Sequence, residues 1–358
     1  MAKHEKIMES RPKKRSGFGR AVLTDILLTG FILCIFAVFH HVIPRWGHGA
    51  EQDAVRPTVI TTPTPGQESE QSEAVPTQEP EISAEPEITP EPVIDNRTPW
   101  QKNFEAHFTE EIVQSETGYS SPNVSVNITT HVEQINGNQQ TYYVADIYIG
   151  QIENFRTGCA SNGFTRFSEE DAVVLDTENN AIVQVNGDFC SVQGSGILVR
   201  NGELYYDDYT PNDICVLYYD GTVETYKAGT YEAQDIIDNL PYQIWKFGPV
   251  LLENDGTPSS EFNAEKAIKW DNPRTGFGYY EPGHYCFVVV DGRQSHSFGM
   301  TLEELAQIFA DLGCTRAYNL DGGASSAMTF NDAVINKQSA PRKLGDTLYI
   351  CEIPEAEQ

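Results

Sequence analysis

Residues 285–323 read YCFVVVDGRQSHSFGMTLEELAQIFADLGCTRAYNLDGG, and this stretch decides the fold of the C-terminal part of the chain. It opens with a run in which residues at both odd and even positions are apolar, as expected of a strand that is buried on both faces. Thr301 with Glu304 three residues later forms a capping box, which predicts the start of a helix, and Gly313 is suited to its end. A second short strand then leads to Asp321. The order strand, helix, strand predicts a βαβ unit with a right-handed crossover.

Both strands of this predicted unit end in a carboxylate, Asp291 after the first strand and Asp321 after the second. Parallel strands present their carboxyl ends at one edge, and neighbouring strands lie about 4.8 Å apart, so both side chains could face one ligand if no strand intervenes. Gly322 and Gly323 allow the backbone to approach a ligand closely, and consecutive turn N–H groups can bind an anion. Asp-Gly is also a common turn dipeptide, so a purely structural turn is the alternative interpretation.

Paired strands dominate the sequence before this unit. Two alternating stretches, 124–132 and 141–149, flank Asn136-Gly137, which is the strongest short signal for a hairpin. Asn201-Gly202 separates two further runs in the same way. Together these patterns predict an α+β domain: a mixed β-sheet with antiparallel hairpins and one βαβ unit near the C-terminus.

The first hundred residues divide into three segments of non-globular composition. Residues 1–20 form a basic tail, and residues 21–43 are apolar and long enough to cross a membrane as a helix. The Lys and Arg excess before the span predicts a cytoplasmic N-terminus and an extracellular remainder. No small-residue cleavage site follows the span, which favours a retained signal anchor over a cleaved signal peptide. Residues 44–99 are rich in Pro and Glu and predict a disordered linker, which leaves residues 100–358 as the folded domain.

The charge and the cysteines narrow the class of protein. The formal net charge is −28, and without a basic face to bind phosphates a nucleic-acid partner is disfavoured. Six of the seven cysteines follow the predicted span, and none of them forms a CxxC pair, so a zinc ribbon is not expected. The sequence leaves open whether these six cysteines form disulfides in an oxidising compartment or are buried free thiols.

Several ordered motifs resemble the phosphodiester glycosidase family, in particular its bacterial branch. They are more specific together than any one motif alone, and the resemblance covers roughly residues 140 to 352. Cys190 and Ala324 depart from the family pattern, because relatives usually have an aromatic residue and a third glycine there. The matching motifs are Val185-Asn186-Gly187-Asp188-Phe189, Val199-Arg200-Asn201-Gly202, Phe247-Gly248-Pro249, Asn272-Pro273-Arg274-Thr275-Gly276-Phe277-Gly278, Val288-Val289-Val290-Asp291-Gly292-Arg293, Gly299-Met300-Thr301-Leu302-Glu303-Glu304-Leu305-Ala306 and Asn319-Leu320-Asp321-Gly322-Gly323.

This resemblance implies hydrolysis of a sugar-1-phosphodiester, which releases the sugar and leaves a phosphomonoester. For such chemistry Asp321 is the first candidate for nucleophile or charge stabiliser, and Asp291 or Asp188 for the partner acid/base. Arg274 or Arg293 would grip the phosphate through a planar fork. The remaining candidate substrate-binding residues are polar or small residues in these motifs or directly after them: Asn186, Asn319, Gly322, Gly323, Ser325 and Ser326.

The sequence therefore predicts a membrane-anchored extracellular hydrolase that cleaves a glycosyl-phosphate bond in a cell-surface glycan or polymer. No cofactor is expected; a structural calcium ion stays open. One alternative is a non-catalytic surface protein that binds glycans or assists their assembly. Another is a metal-dependent phosphodiesterase that breaks the P–O bond; His284 and His296 do not have the paired spacing that zinc sites favour.

Overall fold

The three-dimensional structure is a computed structural model and describes residues 58–59, 95–160, 163–164, 167–190 and 196–353. The predicted cytoplasmic tail and transmembrane helix lie outside these residues, and so does most of the predicted linker. Within the described ranges, no helix has the length and apolar character needed to cross a membrane.

Strands outnumber helices in the described part of the chain. The strands are β1 (Thr58–Val59), β2 (Val113–Gln114), β3 (Gly118–Ser120), β4 (Val124–Ile135), β5 (Asn138–Ile149), β6 (Phe155–Cys159), β7 (Val183–Asn186), β8 (Ile197–Arg200), β9 (Glu203–Asp207), β10 (Ile214–Tyr218), β11 (Val223–Tyr226), β12 (Pro241–Trp245), β13 (Arg274–Glu281), β14 (His284–Val290), β15 (Arg316–Asn319), β16 (Met328–Phe330), β17 (Ala333–Val334) and β18 (Asp346–Ile350). The α-helices are α1 (Pro99–Asn103), α2 (Ala172–Asn179), α3 (Ala233–Asp238), α4 (Lys266–Lys269) and α5 (Leu302–Asp311).

The strands form three sheets. A six-stranded sheet has the order β1-β9-β8-β12-β10-β11, a seven-stranded sheet the order β15-β13-β14-β5-β4-β3-β2, and a five-stranded sheet the order β17-β16-β7-β18-β6. Aromatic rings from all three sheets meet in one core, where Trp245 of β12 lies 5.7 Å from Phe155 of β6 and 5.2 Å from Phe277 of β13 between ring centroids. The predicted α+β class is confirmed.

The predicted hairpin is the longest strand pair of the structure. β4 and β5 pair over their full length, from Val124 opposite Ile149 to Ile135 opposite Asn138. Asn136 and Gly137 connect them with φ values of 50° and 84°. Two successive left-handed residues suit the twist of a two-residue hairpin, and Asn-Gly tolerates them best. The local signal in the sequence is therefore sufficient to set this register.

The capped helix is also confirmed. The Thr301 side chain accepts a hydrogen bond from the Glu304 N–H while the Glu304 side chain accepts from the Thr301 N–H. Gly313 follows the helix with a φ of 85°, which suits a residue without Cβ. Phe309 and Leu305 are fully buried between the helix and the sheet. The amphipathic pattern thus positions α5 across the back of β13 and β15.

The βαβ prediction needs a correction. β14 and β15 run in the same direction on either side of α5, but β13 lies between them and is antiparallel to both. Every strand pair that the structure describes is antiparallel, so the sheet is not mixed. The inserted strand places the ends of β14 and β15 about 10 Å apart, two strand spacings rather than one. Gly276 and Gly278 make room for this arrangement, because a Cβ at either position would lie 2.7 Å from the Phe309 ring.

Candidate active site

The candidate site forms where the ends of β7 and β15 meet. The Asp321 N–H donates to the Gly187 carbonyl (3.2 Å), and the Asn186 Nδ2 donates to the Asp321 carbonyl (2.6 Å). A Cβ on Gly187 would lie 2.1 Å from the Asp346 Oδ2, so only glycine fits at this crossing. Two motifs that lie far apart in sequence are thereby joined by backbone contacts.

The residues 321–325, here called the Asp-Gly-Gly turn, are held against the start of β13. The Gly323 N–H donates to the Pro273 carbonyl (2.9 Å), and a Cβ on Gly322 would lie 2.9 Å from the same oxygen. Gly323 has a φ of 67°, a left-handed conformation that favours glycine. Ala324 is not left-handed, so an alanine in place of a third glycine fits here.

Asp321 is the accessible carboxylate of this turn. Its side chain is 14% exposed, and its Oδ2 accepts a hydrogen bond from the Ser325 Oγ (2.6 Å) and forms an ion pair with Arg342. Its Oδ1 accepts from the Gly322 N–H (2.9 Å). Burial raises the pKa of Asp321 above its usual value, and the contacts with Ser325 and Arg342 only partly offset this shift. A carboxyl with a raised pKa in a cleft is a candidate for acid/base or nucleophilic chemistry.

Arg342 is the site residue that the sequence did not reveal. Its Nε donates to the Ser325 Oγ (2.6 Å), and its guanidinium carbon lies 5.2 Å from the centre of the Phe189 ring. It extends from the loop between β17 and β18, where no motif marks it; the only signal is a basic pair in an acidic chain. The cleft around it is lined by Asn186, Gly187, Phe189, Asp321, Ser325, Arg342, Lys343, Leu344, Gly345 and Asp346.

The two predicted phosphate-binding arginines lie in different environments. Arg293 is exposed, donates from NH2 to the Asn272 Oδ1 (2.7 Å) and approaches Gly323, with NH2 3.2 Å from the position of a Cβ there. Arg274 is buried and donates to the carbonyls of Met300 (2.7 Å) and Trp270 (2.6 Å). Burial lowers the pKa of Arg274 to about 10. Arg293 therefore faces the turn, whereas the Arg274 guanidinium is occupied by backbone carbonyls.

The predicted polar ligands also differ in where the structure places them. Ser325 lies in the cleft, whereas Asn186 accepts from the Thr275 Oγ1 (2.6 Å) and the Ala327 N–H (3.2 Å). Asn319 is buried and donates to the Gly248 carbonyl (2.7 Å). Ser326 is buried beside the turn. Through these hydrogen bonds, Asn186 and Asn319 stabilise the ends of the strands that form the site.

Asp188 lies behind the cleft in a fully buried charge cluster. Its Oδ1 contacts the Arg200 NH2 (2.6 Å), and its Oδ2 accepts from the Lys246 N–H (2.7 Å). Asp346 adjoins it, with Oδ2 accepting from the Asp188 N–H and Oδ1 from the Phe189 N–H, both at 3.0 Å. Burial raises the pKa of Asp346 well above its usual value, and the neighbouring Asp188 raises it further. Burial opposes ionisation of Asp188 as well, but Arg200 and hydrogen bonds outweigh it and lower its pKa.

Asp291 does not meet Asp321 in the cleft. It is fully buried and absent from the cleft lining, and its Oδ2 lies 3.0 Å from the His296 Nε2. Its Oδ1 accepts from the Asn336 Nδ2 (3.2 Å) and the Lys337 N–H (2.9 Å). The expectation that both carboxylates face one ligand depended on adjacent strands, and β13 separates them.

Three potential metal ligands cluster in the described part of the chain, namely Asp188, Cys190 and Asp346. All three are buried, and the Arg200 NH2 already lies 2.6 Å from Asp188 and 3.9 Å from Asp346. A guanidinium at this position supplies the positive charge that a cation would bring and would repel one. The cluster therefore does not fit a calcium or zinc ion.

The part of the chain that contains the site matches a known protein family. The model of the phosphodiester glycosidase family matches residues 179–351, which include β7, the Asp-Gly-Gly turn and Arg342. The resemblance in the sequence is thereby confirmed: residues 179–351 match the phosphodiester glycosidase family.

Known proteins that are similar to this chain include a curated bacterial protein and a solved animal enzyme. The "SPbeta prophage-derived uncharacterized protein YomE" of Bacillus subtilis (strain 168) is 27% identical over 198 residues, which are 53% of this chain. The chain spans 31% of the length of that curated relative. The zebrafish N-acetylglucosamine-1-phosphodiester alpha-N-acetylglucosaminidase catalytic domain, solved auto-inhibited by its pro-peptide, is similar in fold with a TM-score of 0.54 and 19% identity, covering 68% of this chain and 88% of that one.

Proposed function

We propose that this protein hydrolyses a sugar-1-phosphodiester at the bond between the anomeric carbon and the phosphate oxygen. The observation that carries the proposal is the cleft in which the Asp321 carboxylate contacts both Ser325 and the Arg342 guanidinium. A carboxylate can stabilise or attack an oxocarbenium-like sugar, and a guanidinium can bind the phosphate. The motifs of the phosphodiester glycosidase family surround this cleft and support the same reaction.

The phosphate of the substrate would replace Asp321 as the partner of Arg342. Arg342 is 41% exposed on its side chain, so it can turn toward an incoming anion without opening the core. Arg293 borders Gly323 of the Asp-Gly-Gly turn and would contact a second phosphate oxygen. This exchange frees the Asp321 carboxylate for the sugar at the moment when the substrate binds.

Asp321 would then act at the anomeric carbon, as nucleophile or as stabiliser of the positive charge. The C–O bond to the phosphate breaks, the phosphomonoester leaves with the bonding electrons, and water adds its oxygen to the sugar. A phosphate is a good leaving group, so little acid catalysis is needed. Asp188 is fully enclosed and paired with Arg200, so within our proposal it supports the site from behind instead of touching the sugar.

The direct test is hydrolysis in ¹⁸O-labelled water, with N-acetylglucosamine-1-phosphodiesters as the first substrates because the zebrafish relative is named for them. The label enters the sugar if the C–O bond breaks and the phosphate if a metal-dependent phosphodiesterase breaks the P–O bond. Asp321→Asn should lower kcat by at least about a hundredfold, while Asp208→Asn on the exposed surface serves as the matched control. Binding of sugar phosphates without turnover in the wild type would favour the non-catalytic alternative.

We propose further that the enzyme acts outside the cell on a surface glycan, anchored by residues 21–43. The support is the apolar span with its preceding basic tail. Protease added to intact cells should then remove the domain while leaving a short protected N-terminal fragment. A domain that resists protease until the cells are lysed would contradict this location.

A further inference from the structure

One exposed aromatic ring stands beside the candidate active site. Of the three tryptophans that the structure describes, Trp245 is buried, Trp100 is half-buried, and Trp270 is 60% exposed. The Lys266 Nζ lies 5.7 Å from the centre of the Trp270 ring, over one of its faces. A large ring that is left open to solvent next to a functional site is a candidate contact surface for a ligand.

The backbone that carries Trp270 is fixed to the rim of the site. Its carbonyl accepts from the buried Arg274 guanidinium (2.6 Å), whose Nε also holds the Met300 carbonyl (2.7 Å). Two residues further on, Asn272 and Met300 exchange two backbone hydrogen bonds of 3.1 and 3.0 Å. The backbone that carries the ring is therefore held by hydrogen bonds, so little backbone conformational entropy is lost when a ligand packs on the ring.

The same segment leads directly to the Asp-Gly-Gly turn. Pro273 accepts the Gly323 N–H (2.9 Å), and three residues span at most about 11 Å of chain. Arg293 occupies the intervening surface, because its NH2 donates to the Asn272 Oδ1 (2.7 Å) and its guanidinium borders Gly323. Arg293 thus connects the Asp-Gly-Gly turn to the segment that carries Trp270, and the Trp270 backbone lies within about 11 Å of Pro273.

We propose that Trp270 is a glycan subsite, on which a pyranose ring of the group beyond the scissile phosphate stacks. The inference rests on the proposed function for its direction, since the phosphate held at Arg293 would lie between the cleaved sugar and the stacked one. The apolar C–H face of a sugar ring matches the negative face of an indole. The charge of Lys266 at the ring and that of the adjacent residue Asp271 suit the hydroxyl groups of a sugar better than an apolar protein surface.

The test compares two substrates that differ only beyond the phosphate. N-acetylglucosamine-1-phosphate is esterified either to methanol or to the 6-hydroxyl of maltotriose, and kcat/KM is measured with the full-length protein. We expect Trp270→Ala to lower the ratio of kcat/KM for the trisaccharide diester over the methyl diester by about tenfold. Trp270→Phe should keep most of the ratio because it retains a flat ring. Tyr209→Ala, which removes an aromatic side chain from a residue that is 76% exposed, should leave the ratio unchanged.

The outcomes separate this inference from the proposed reaction. A ratio that is equal in the wild type and in Trp270→Ala overturns the subsite while the hydrolase stands. If the wild type hydrolyses neither diester, the proposed reaction fails for this sugar, and the wild type, Trp270→Ala and Tyr209→Ala are compared on an oligosaccharide array. Binding of oligosaccharides that is lost in Trp270→Ala but kept in Tyr209→Ala then supports the subsite. Oligosaccharide binding that is equal in all three proteins, or absent from all three, overturns it.

Discussion

Replacing Arg200 by Met should destabilise the fold strongly, because it removes the partner of a fully buried carboxylate. The Arg200 and Asp188 side chains are both 0% exposed, and the Arg200 NH2 lies 2.6 Å from the Asp188 Oδ1. Arg200 also donates from NH1 to the carbonyls of Val199 and Ile244. Breaking a buried ion pair on one side typically costs about 3–5 kcal/mol, since the remaining charge stays desolvated.

A loss of about 3–5 kcal/mol in the free energy of unfolding corresponds to a large decrease in the thermal midpoint, Tm. For a domain of this size, 1 kcal/mol changes Tm by about 2–4 °C, so Arg200→Met should lower Tm by roughly 6–20 °C. Circular dichroism and urea unfolding of purified protein measure the change. Arg97→Met is the matched control, because Arg97 also forms ion pairs but is 50% exposed. Exposed pairs contribute at most about 1 kcal/mol.

An Arg200→Met protein that melts within 2 °C of the Arg97→Met control would contradict this expectation, because 2 °C corresponds to a loss of at most about 1 kcal/mol. A second variant separates the structural and the catalytic interpretation of Asp188. Asp188→Asn should lower Tm while its folded fraction retains kcat/KM within about threefold, less than 1 kcal/mol. A loss of a hundredfold or more in fully folded protein would restore Asp188 as a catalytic residue.

Three further predictions concern the turn and the core. Arg342→Gln should lower kcat/KM by about 10- to 100-fold. It should also move the acidic limb of the pH–rate profile to higher pH, because Arg342 lowers the pKa of Asp321, which burial raises. An acidic limb at unchanged or lower pH would contradict this expectation. Gly323→Ala should reduce the free energy of unfolding by about 1–2 kcal/mol, because a φ of 67° strains a residue with Cβ; an unchanged urea midpoint would show that the turn relaxes. Phe309→Ala should reduce it by about 3–5 kcal/mol, since the ring is fully buried, and a loss below 1 kcal/mol would mean that the core closes around the cavity.

Local elements of the fold could be predicted because their causes are local. The Asn136-Gly137 turn needs two left-handed residues and has the pair that best tolerates them. Helix α5 starts at a capping box formed by Thr301 and Glu304, which are three residues apart. The position of β13 was missed although β13 pairs with β14 across the short turn at Pro282-Gly283, because its second pairing, with β15, joins residues about 40 positions apart and leaves no periodic signal in the sequence.

Features of the candidate site that depend on consecutive residues could likewise be predicted from the sequence, whereas those that depend on distant residues could not. The sequence determined that Asp321 follows a strand and precedes two glycines, and that its motifs resemble those of phosphodiester glycosidases. Only the tertiary structure decided which groups share the cleft: it brought Arg342 to Asp321, enclosed Asp188 with Arg200, and set Asp291 apart behind an intervening strand. The physical reason is that turn geometry depends on a few consecutive residues, whereas the neighbours and burial of a charge depend on the packing of strands that are distant in sequence.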